Sequence, residues 1–369
     1  MQLQPFQINI SQAELDDLQA RLARTRWPDE LPGVGRAYGV PRDEVKALAE
    51  YWQNGYDWHR WEAEINQYPQ FMTEIDGQNI HFLHVKSPEP NALPLILTHG
   101  WPGSVMEYLD VIGRLSNPRA FGGDPADAFD LVIPSVPGFA FSGPTHETGW
   151  NSRRVAQAWA TLMAGLGYTR YGAVGNDAGS LISPEVGRYD PEHVVGVHVT
   201  QLFSFPSGAP SDFENLTEDE GRRLAVLDNF WKNLSGFNAI QSSAPQTLAY
   251  ALLDSPAGQL AWSAQLLDGQ EPDFVLTNVM LYWLTGTAGS SARFYYENAH
   301  DSDHPTTPTT TPTGVAVFRN DFQTIRRFAE RDHGNIVHWS EFDRGGHYAA
   351  HEAPDLLAED VRLFFRSLR

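Results

Sequence analysis

Residues 171–189 read YGAVGNDAGSLISPEVGRY. The short apolar run Tyr171 to Val174 leads into Gly175-Asn176-Asp177-Ala178-Gly179, and a stretch of helical character follows. Strand, glycine-flanked acidic residue, helix: this order is the geometry of a nucleophile elbow, where small residues permit a sharp, strained turn that lifts one side chain clear of the backbone. On its own a GxDxG is more often an ordinary Gly/Asp turn. The surroundings decide between the two.

Upstream, PLILTHG (94–100) and DLVIPSV (130–136) read as short buried strands; downstream, VVGVHVT (194–200), TGVAVF (313–318) and NIVHWSEF (335–342) have the same character. Helical stretches separate most of them. This alternation predicts an α/β fold, a mainly parallel central sheet with helices on both faces and ligands at the carboxyl ends of the strands. FMTEIDGQNIHFLHV (71–85) alternates about Asp76-Gly77, which predicts a hairpin. Ahead of it, Ser11 to Glu14 forms a capping box for a helix carrying Leu15, Leu18 and Leu22. A second helix begins near Pro41 with Val45, Leu48 and Trp52 on one face, and the aromatics that follow read as core packing. Between about 205 and 303 the strand signal disappears, which predicts a helical lid inserted late in the sheet. The expected division is an N-terminal helical meander (1–70), a core in two parts (71–204 and 304–369) and the lid (205–303).

Composition bounds the function. The chain has 369 residues, with 26 Lys+Arg against 46 Asp+Glu, a formal charge of −20. Nucleic acid and anionic membranes are bound through clustered cations, so neither is an expected partner. The absence of cysteine removes disulfides, thiolate metal sites and cysteine nucleophiles. The N-terminus lacks the basic start and apolar stretch of a signal peptide, and no apolar run reaches the roughly 18 residues of a spanning helix. A soluble, cytoplasmic protein is expected. With 20 Phe, 13 Tyr and 11 Trp there is also room for a homodimer interface.

Three further features converge on the elbow. His99-Gly-Trp101-Pro102-Gly103-Ser104 follows the strand PLILT, where backbone N–H groups gather for an oxyanion; Trp101 and Ala178 are the expected donors, and a cis Trp101–Pro102 bond is expected. His99 reads as a structural hydrogen-bonding residue. His347 stands in a glycine turn after the last strand, positioned as a general base, and Asp321 lies just past TGVAVF, where a carboxylate can orient the imidazole. The chain order Asp177, Asp321, His347 is that of nucleophile, acid and base in the α/β-hydrolase scheme.

Over nearly its whole length the chain resembles the epoxide hydrolases of the α/β-hydrolase superfamily, specifically the microsomal-type branch with an N-terminal meander. The resemblance rests on PFQINIS…LDDLQARLARTRWPD, IDGQNIHFLHVKS, HGWPGS, the aspartate elbow, TNVMLYWLTGT…RFYYEN, TPTGVAVF and RGGHYAAHEAP. It implies that Asp177 is the nucleophile, His347 the water-activating base, Asp321 the orienting acid, and Tyr295 one of two lid tyrosines that hydrogen-bond the epoxide oxygen. A small-molecule epoxide is then the expected partner and a vicinal diol the product, with no cofactor. Two positions depart from the pattern. Phe237 stands where the first lid tyrosine falls, so Tyr295 works alone, or Tyr250 or Tyr296 compensates, or activity is reduced or redirected. The residue after the nucleophile, often Trp, is Ala178, which keeps the N–H but changes the pocket wall; a larger or differently shaped epoxide is one expectation. Phe237, Trp101 and Tyr296 are expected to line the substrate pocket.

No metal is expected. His347/His351 and His300/His304 have i,i+4 spacing without the Glu of HExxH, and His81/His84 face opposite ways on a strand. P-loop and dinucleotide motifs are absent. An aspartate elbow argues against an esterase. The rival readings are a haloalkane dehalogenase, which lacks its usual Trp beside the nucleophile here, and a non-catalytic scaffold that keeps the pocket.

Overall fold

A computed structural model of the chain describes residues 1–303 and 305–369. Among the described residues nine strands form one sheet: β1 Gln4–Phe6, β2 Gln70–Ile75, β3 Gln78–Val85, β4 Leu93–Thr98, β5 Phe129–Pro134, β6 Tyr171–Gly175, β7 Val194–Val199, β8 Thr313–Asn320 and β9 Ile336–Gly346. Their spatial order is β1-β2-β3-β5-β4-β6-β7-β8-β9. The β1/β2, β2/β3 and β3/β5 pairs are antiparallel, and every pair from β5 to β9 is parallel. Asp76 and Gly77 join β2 to β3 with φ of 53° and 72°, the left-handed pair that a tight hairpin with native twist requires.

Strand side chains alternate between two cores. Leu95, Leu97, Leu131 and Ile133 belong to one, with helices Leu109–Ser116 and Pro354–Arg366; Ile96, Val132 and Ala173 belong to the other, with helices Ser152–Gly165 and Ala178–Tyr189. Burial on both faces is why these strands read as continuous apolar runs. The capping box is formed as expected, with Ser11 and Glu14 each satisfying the other's backbone N–H. Trp52 and Trp58 are buried, and Trp52 Nε1–H donates to Met280 Sδ at 3.1 Å, so the N-terminal helices clamp helix Pro272–Leu284. The strand β1 has no counterpart in the sequence reading of residues 1–70 as helical. Three residues are too few for a periodic signal, and β1 exists because it covers the otherwise open edge of β2. Between β7 and β8 the described residues form helices, one π-turn and loops, and no strand. Among the described residues no helix is long and apolar enough to cross a membrane.

The parallel register sets up the site. Thr98 pairs with Gly175, Gly175 with Val199, and Asn320 with Gly346. The residues immediately beyond these pairs, His99, Asn176, Thr200, Asp321 and His347, therefore emerge side by side at the carboxyl end of the sheet.

One buried polar cluster ties the far strands to the C-terminal helix. Asp360, 3% exposed, takes His198 Nε2 and His338 Nε2 at 2.7 Å each and accepts Ser340 Oγ–H at 2.5 Å. Burial alone would raise its pKa, but these partners hold it down to about 2. Because the folded value lies below the unfolded one of about 3.9, the stabilisation is fully present above that and is lost as pH falls through about 2. Asp360→Ala is expected to cost about 3 kcal/mol at pH 7 by leaving two imidazoles without their acceptor, a difference from wild type that shrinks in denaturant titrations near pH 2.

Candidate active site

Asp177 sits between β6 and helix Ala178–Tyr189 at φ 51° and ψ −117°, a conformation that residues other than glycine avoid. Space for it depends on glycine. A Cβ on Gly175 would stand 2.0 Å from Gly179 O, one on Gly179 1.9 Å from Thr98 O, and one on Gly100 2.0 Å from Asp177 Oδ1. The GxDxG spacing and the glycine of HGWPGS are thus one steric requirement seen at three positions.

The Trp101 N–H donates to Asp177 Oδ1 at 3.0 Å, and the Ala178 N–H also favours the charged carboxylate. Burial raises the Asp177 pKa, with His347 and these two donors opposing it. The Trp101–Pro102 bond is cis. Tyr282 holds the loop from the helix behind, its OH donating to Gly103 O at 2.6 Å. His99 is buried and structural, between Gly100 O at 3.0 Å and the Val136 N–H at 3.4 Å, and burial pushes it down to about 4.

His347 Nδ1 lies 3.1 Å from Asp321 Oδ1, and its Nε2 3.7 Å from Asp177 Oδ2. Desolvation works against its charged form, but Asp321, Asp177 and Glu107 outweigh it and raise the imidazole to about 10. Asp321 is itself held, accepting the Phe322 N–H at 2.7 Å and Gln201 Nε2–H at 2.8 Å. Asn176 Nδ2–H donates to His347 O at 2.9 Å, and Thr200 Oγ–H to Asn176 Oδ1 at 2.7 Å. The sequence reading had no role for Asn176, Thr200 or Gln201. Their signal was position, since each stands at or just past the carboxyl end of a predicted parallel strand. The side chains of Asp177 and His347 keep 20% and 28% exposure, so small molecules reach both.

Phe237 is stacked on Trp101 at 5.6 Å, and Tyr295 is edge-on to Trp101 at 6.1 Å and to Phe237 at 6.0 Å. Burial and the Asp177 charge hold the Tyr295 phenol well above its usual pKa, so it is a proton-bearing donor. Tyr296 is not with them. It is 37% exposed and stacks on His300 at 4.0 Å, because the next residue on a helix points about 100° away. The expectation that Tyr296 lines the pocket is therefore corrected, and Tyr250, 73% exposed, is no candidate for a compensating donor either. Two other buried phenols feel the Asp177 charge, but Tyr282 OH donates to Gly103 O at 2.6 Å and Tyr348 OH to Leu266 O at 3.3 Å, which leaves Tyr295 as the donor toward Asp177.

Among the described residues no group of three His, Asp or Glu is placed to hold a metal. His351 pairs with Asp110 at 2.7 Å instead of joining His347, and His304 lies outside the described residues. A separate cleft of about 520 Å³ opens beside Trp27, Tyr38 and Ala257 and shares no residue with this site.

Comparison with known proteins gives the family and the fold. The family profile "Epoxide hydrolase N terminus" matches residues 3–108, and that of the "alpha/beta hydrolase fold" residues 94–249. A candidate epoxide hydrolase of Stigmatella aurantiaca is 43% identical over 99% of this chain and 85% of its own. Epoxide hydrolase 1 of Sus scrofa is 33% identical over 98% of this chain and 88% of its own. The crystal structure of juvenile hormone epoxide hydrolase from Bombyx mori superposes with a TM-score of 0.91 at 28% identity, covering 100% of this chain and 95% of that one. The Aspergillus niger epoxide hydrolase gives 0.89 at 27% identity, covering 100% and 97%.

Proposed function

The chain belongs to the epoxide hydrolase family, and from that premise we propose that it opens its substrate through a covalent ester on Asp177. One observation carries this reading: Asp177 Oδ1 already rests on the Trp101 N–H at 3.0 Å, while Oδ2 faces His347 Nε2 at 3.7 Å. The two oxygens have different tasks. Oδ2 attacks a ring carbon, the C–O bond of the ring breaks, and the electron pair passes to the epoxide oxygen, which takes the Tyr295 proton. Oδ1 becomes the ester carbonyl oxygen, in place between the Trp101 and Ala178 donors.

Water fits the second step. His347 Nε2 removes a proton, the hydroxide oxygen bonds to the Asp177 carboxyl carbon, and the resulting oxyanion forms on Oδ1, where the same two N–H groups stabilise it. Collapse expels the diol oxygen, which takes the proton from His347, and the proton left on the reformed Asp177 carboxyl returns through solvent to the Tyr295 phenolate, which closes the cycle. No cofactor enters this cycle. Phe237 and Trp101 form an apolar wall beside the nucleophile, suited to a neutral small-molecule epoxide. We place the enzyme in the cytoplasm, divide it into meander (1–70), core (71–204 and 304–369) and lid (205–303), and leave its aromatic surface available for a homodimer.

A single turnover of styrene oxide in ¹⁸O-labelled water tests the ester. The first diol is expected to carry no label, because its new oxygen comes from Asp177, and the peptide containing Asp177 gains one ¹⁸O. Label in that first diol would mean direct attack by water.

A further inference from the structure

Glu107 is the buried titratable group for which the cycle above has no use. It lies in the single turn Val105–Tyr108 that follows HGWPGS and is 1% exposed. Neither of its carboxyl oxygens has a well-formed hydrogen bond among the described residues. A carboxyl buried in that state is an unfavourable choice for packing alone. Its location gives it a use. A Cβ on Gly103 would stand 2.6 Å from Glu107 Oε2, so the carboxyl rests against bare backbone two residues past Trp101.

The groups around it are those of the site. Burial pushes Glu107 up to about 8; His347 opposes this, Asp177 adds to it, and weak hydrogen bonding from Tyr108 and Asn176 favours the charged form. Tyr282, from helix Pro272–Leu284, and Tyr348, beside His347, both feel its charge. The other ionisable groups on the elements packed around this turn are engaged elsewhere: His351 with Asp110, Glu352 with the Tyr348 N–H and Gln270, and Asp273 with Tyr51.

We propose that Glu107 is a positioning residue for the second half-reaction, its carboxyl accepting one hydrogen of the water whose other hydrogen goes to His347 Nε2. The proposal rests on the ester reading of Asp177. A water aimed at the Asp177 carboxyl carbon gives one hydrogen to His347 and needs an acceptor for the other. Asp321 is committed to His347, Phe322 and Gln201, whereas the donors nearest Glu107 are bonded elsewhere, Tyr108 OH to Thr98 O at 2.8 Å and Asn176 Nδ2–H to His347 O at 2.9 Å. No proton passes to Glu107; it moves to His347. Ester formation also removes the Asp177 charge that disfavours ionised Glu107, so the carboxyl becomes a better acceptor at the stage when water is required.

Single-turnover kinetics with styrene oxide, read by intact-protein mass, separate the two steps. In Glu107→Gln and Glu107→Ala, alkylation of Asp177 is expected within about threefold of wild type while ester hydrolysis slows by about 10- to 100-fold. The ester then accumulates, and kcat and KM fall together with kcat/KM preserved, a pattern that general loosening of the site does not produce. Gly103→Ala, which displaces Oε2 without removing its charge, is expected to slow hydrolysis more than alkylation, and it serves as the test if neither Glu107 variant folds. Equal loss in both steps, or hydrolysis at the wild-type rate, overturns the proposal. If wild type itself forms no ester, it is the mechanism on Asp177 that fails, and the role of Glu107 falls with it.

Discussion

Replacing His347 by Gln stops the enzyme after one chemical event: the Asp177 ester forms and persists. Oδ2 of Asp177 needs no base to attack an epoxide carbon, since a carboxylate is already the nucleophile. Hydrolysis does need one, because water must lose a proton as it attacks, and His347 Nε2 is the basic nitrogen facing Asp177, at 3.7 Å. Steady-state turnover is therefore expected to fall by about 10³- to 10⁴-fold, while mass spectrometry finds one equivalent of substrate bound to the protein. Turnover within about tenfold of wild type, or no adduct, would remove His347 from this role. The pH dependence follows the same logic. In the resting enzyme Asp321, Asp177 and Glu107 hold the imidazole at about 10, and esterification deletes the Asp177 charge, so the His347 pKa falls when a neutral base is needed. In wild type, ester hydrolysis should rise with pH, with its midpoint below that of the resting imidazole. Alkylation should fail at low pH instead, as Asp177, its pKa raised by burial, takes up a proton.

The second large effect is expected at Tyr295. Its phenol, edge-on to Trp101 and Phe237, keeps its proton because burial and Asp177 disfavour the phenolate. The alkoxide released on ring opening is more basic still and takes that proton. In a site with two tyrosines the loss of one leaves a partner; here Phe237 holds the other place, Tyr250 and Tyr296 lie on the surface, and the Tyr282 and Tyr348 hydroxyls are bonded to Gly103 O and Leu266 O. Tyr295→Phe is thus expected to slow Asp177 alkylation by about 10²- to 10³-fold, with kcat/KM falling in step and hydrolysis of preformed ester little changed. A loss under about threefold would assign the proton to another donor.

Much of the site was legible in the sequence because its signals are local. Gly175 and Gly179 bracket Asp177 in a motif five residues long, although the atom that excludes a side chain at Gly179 is Thr98 O of the neighbouring strand, and a strand's end can be read from its own apolar run. Asp321 and His347 could be placed together because each follows a parallel strand, and the Asn320 to Gly346 register makes them neighbours. Where local signals were weak, the reading was incomplete. The three residues of β1 carry no period, and Tyr296 differs from Tyr295 by one helical step whose direction depends on how the helix is docked.

The sequence by itself determined the mainly parallel sheet, the glycine-flanked aspartate turn and the chain order of Asp177, Asp321 and His347, because strand period, motif spacing and chain order are read from the linear chain. Only the tertiary structure decided which of two adjacent tyrosines faces Asp177, that Gln201 and Asn176 brace Asp321 and His347, and that Glu107 is buried beside them. Burial, side-chain direction and the mutual shift of pKa values arise between residues far apart in the chain, and they exist only once the sheet, the lid and the N-terminal helices have closed on one another.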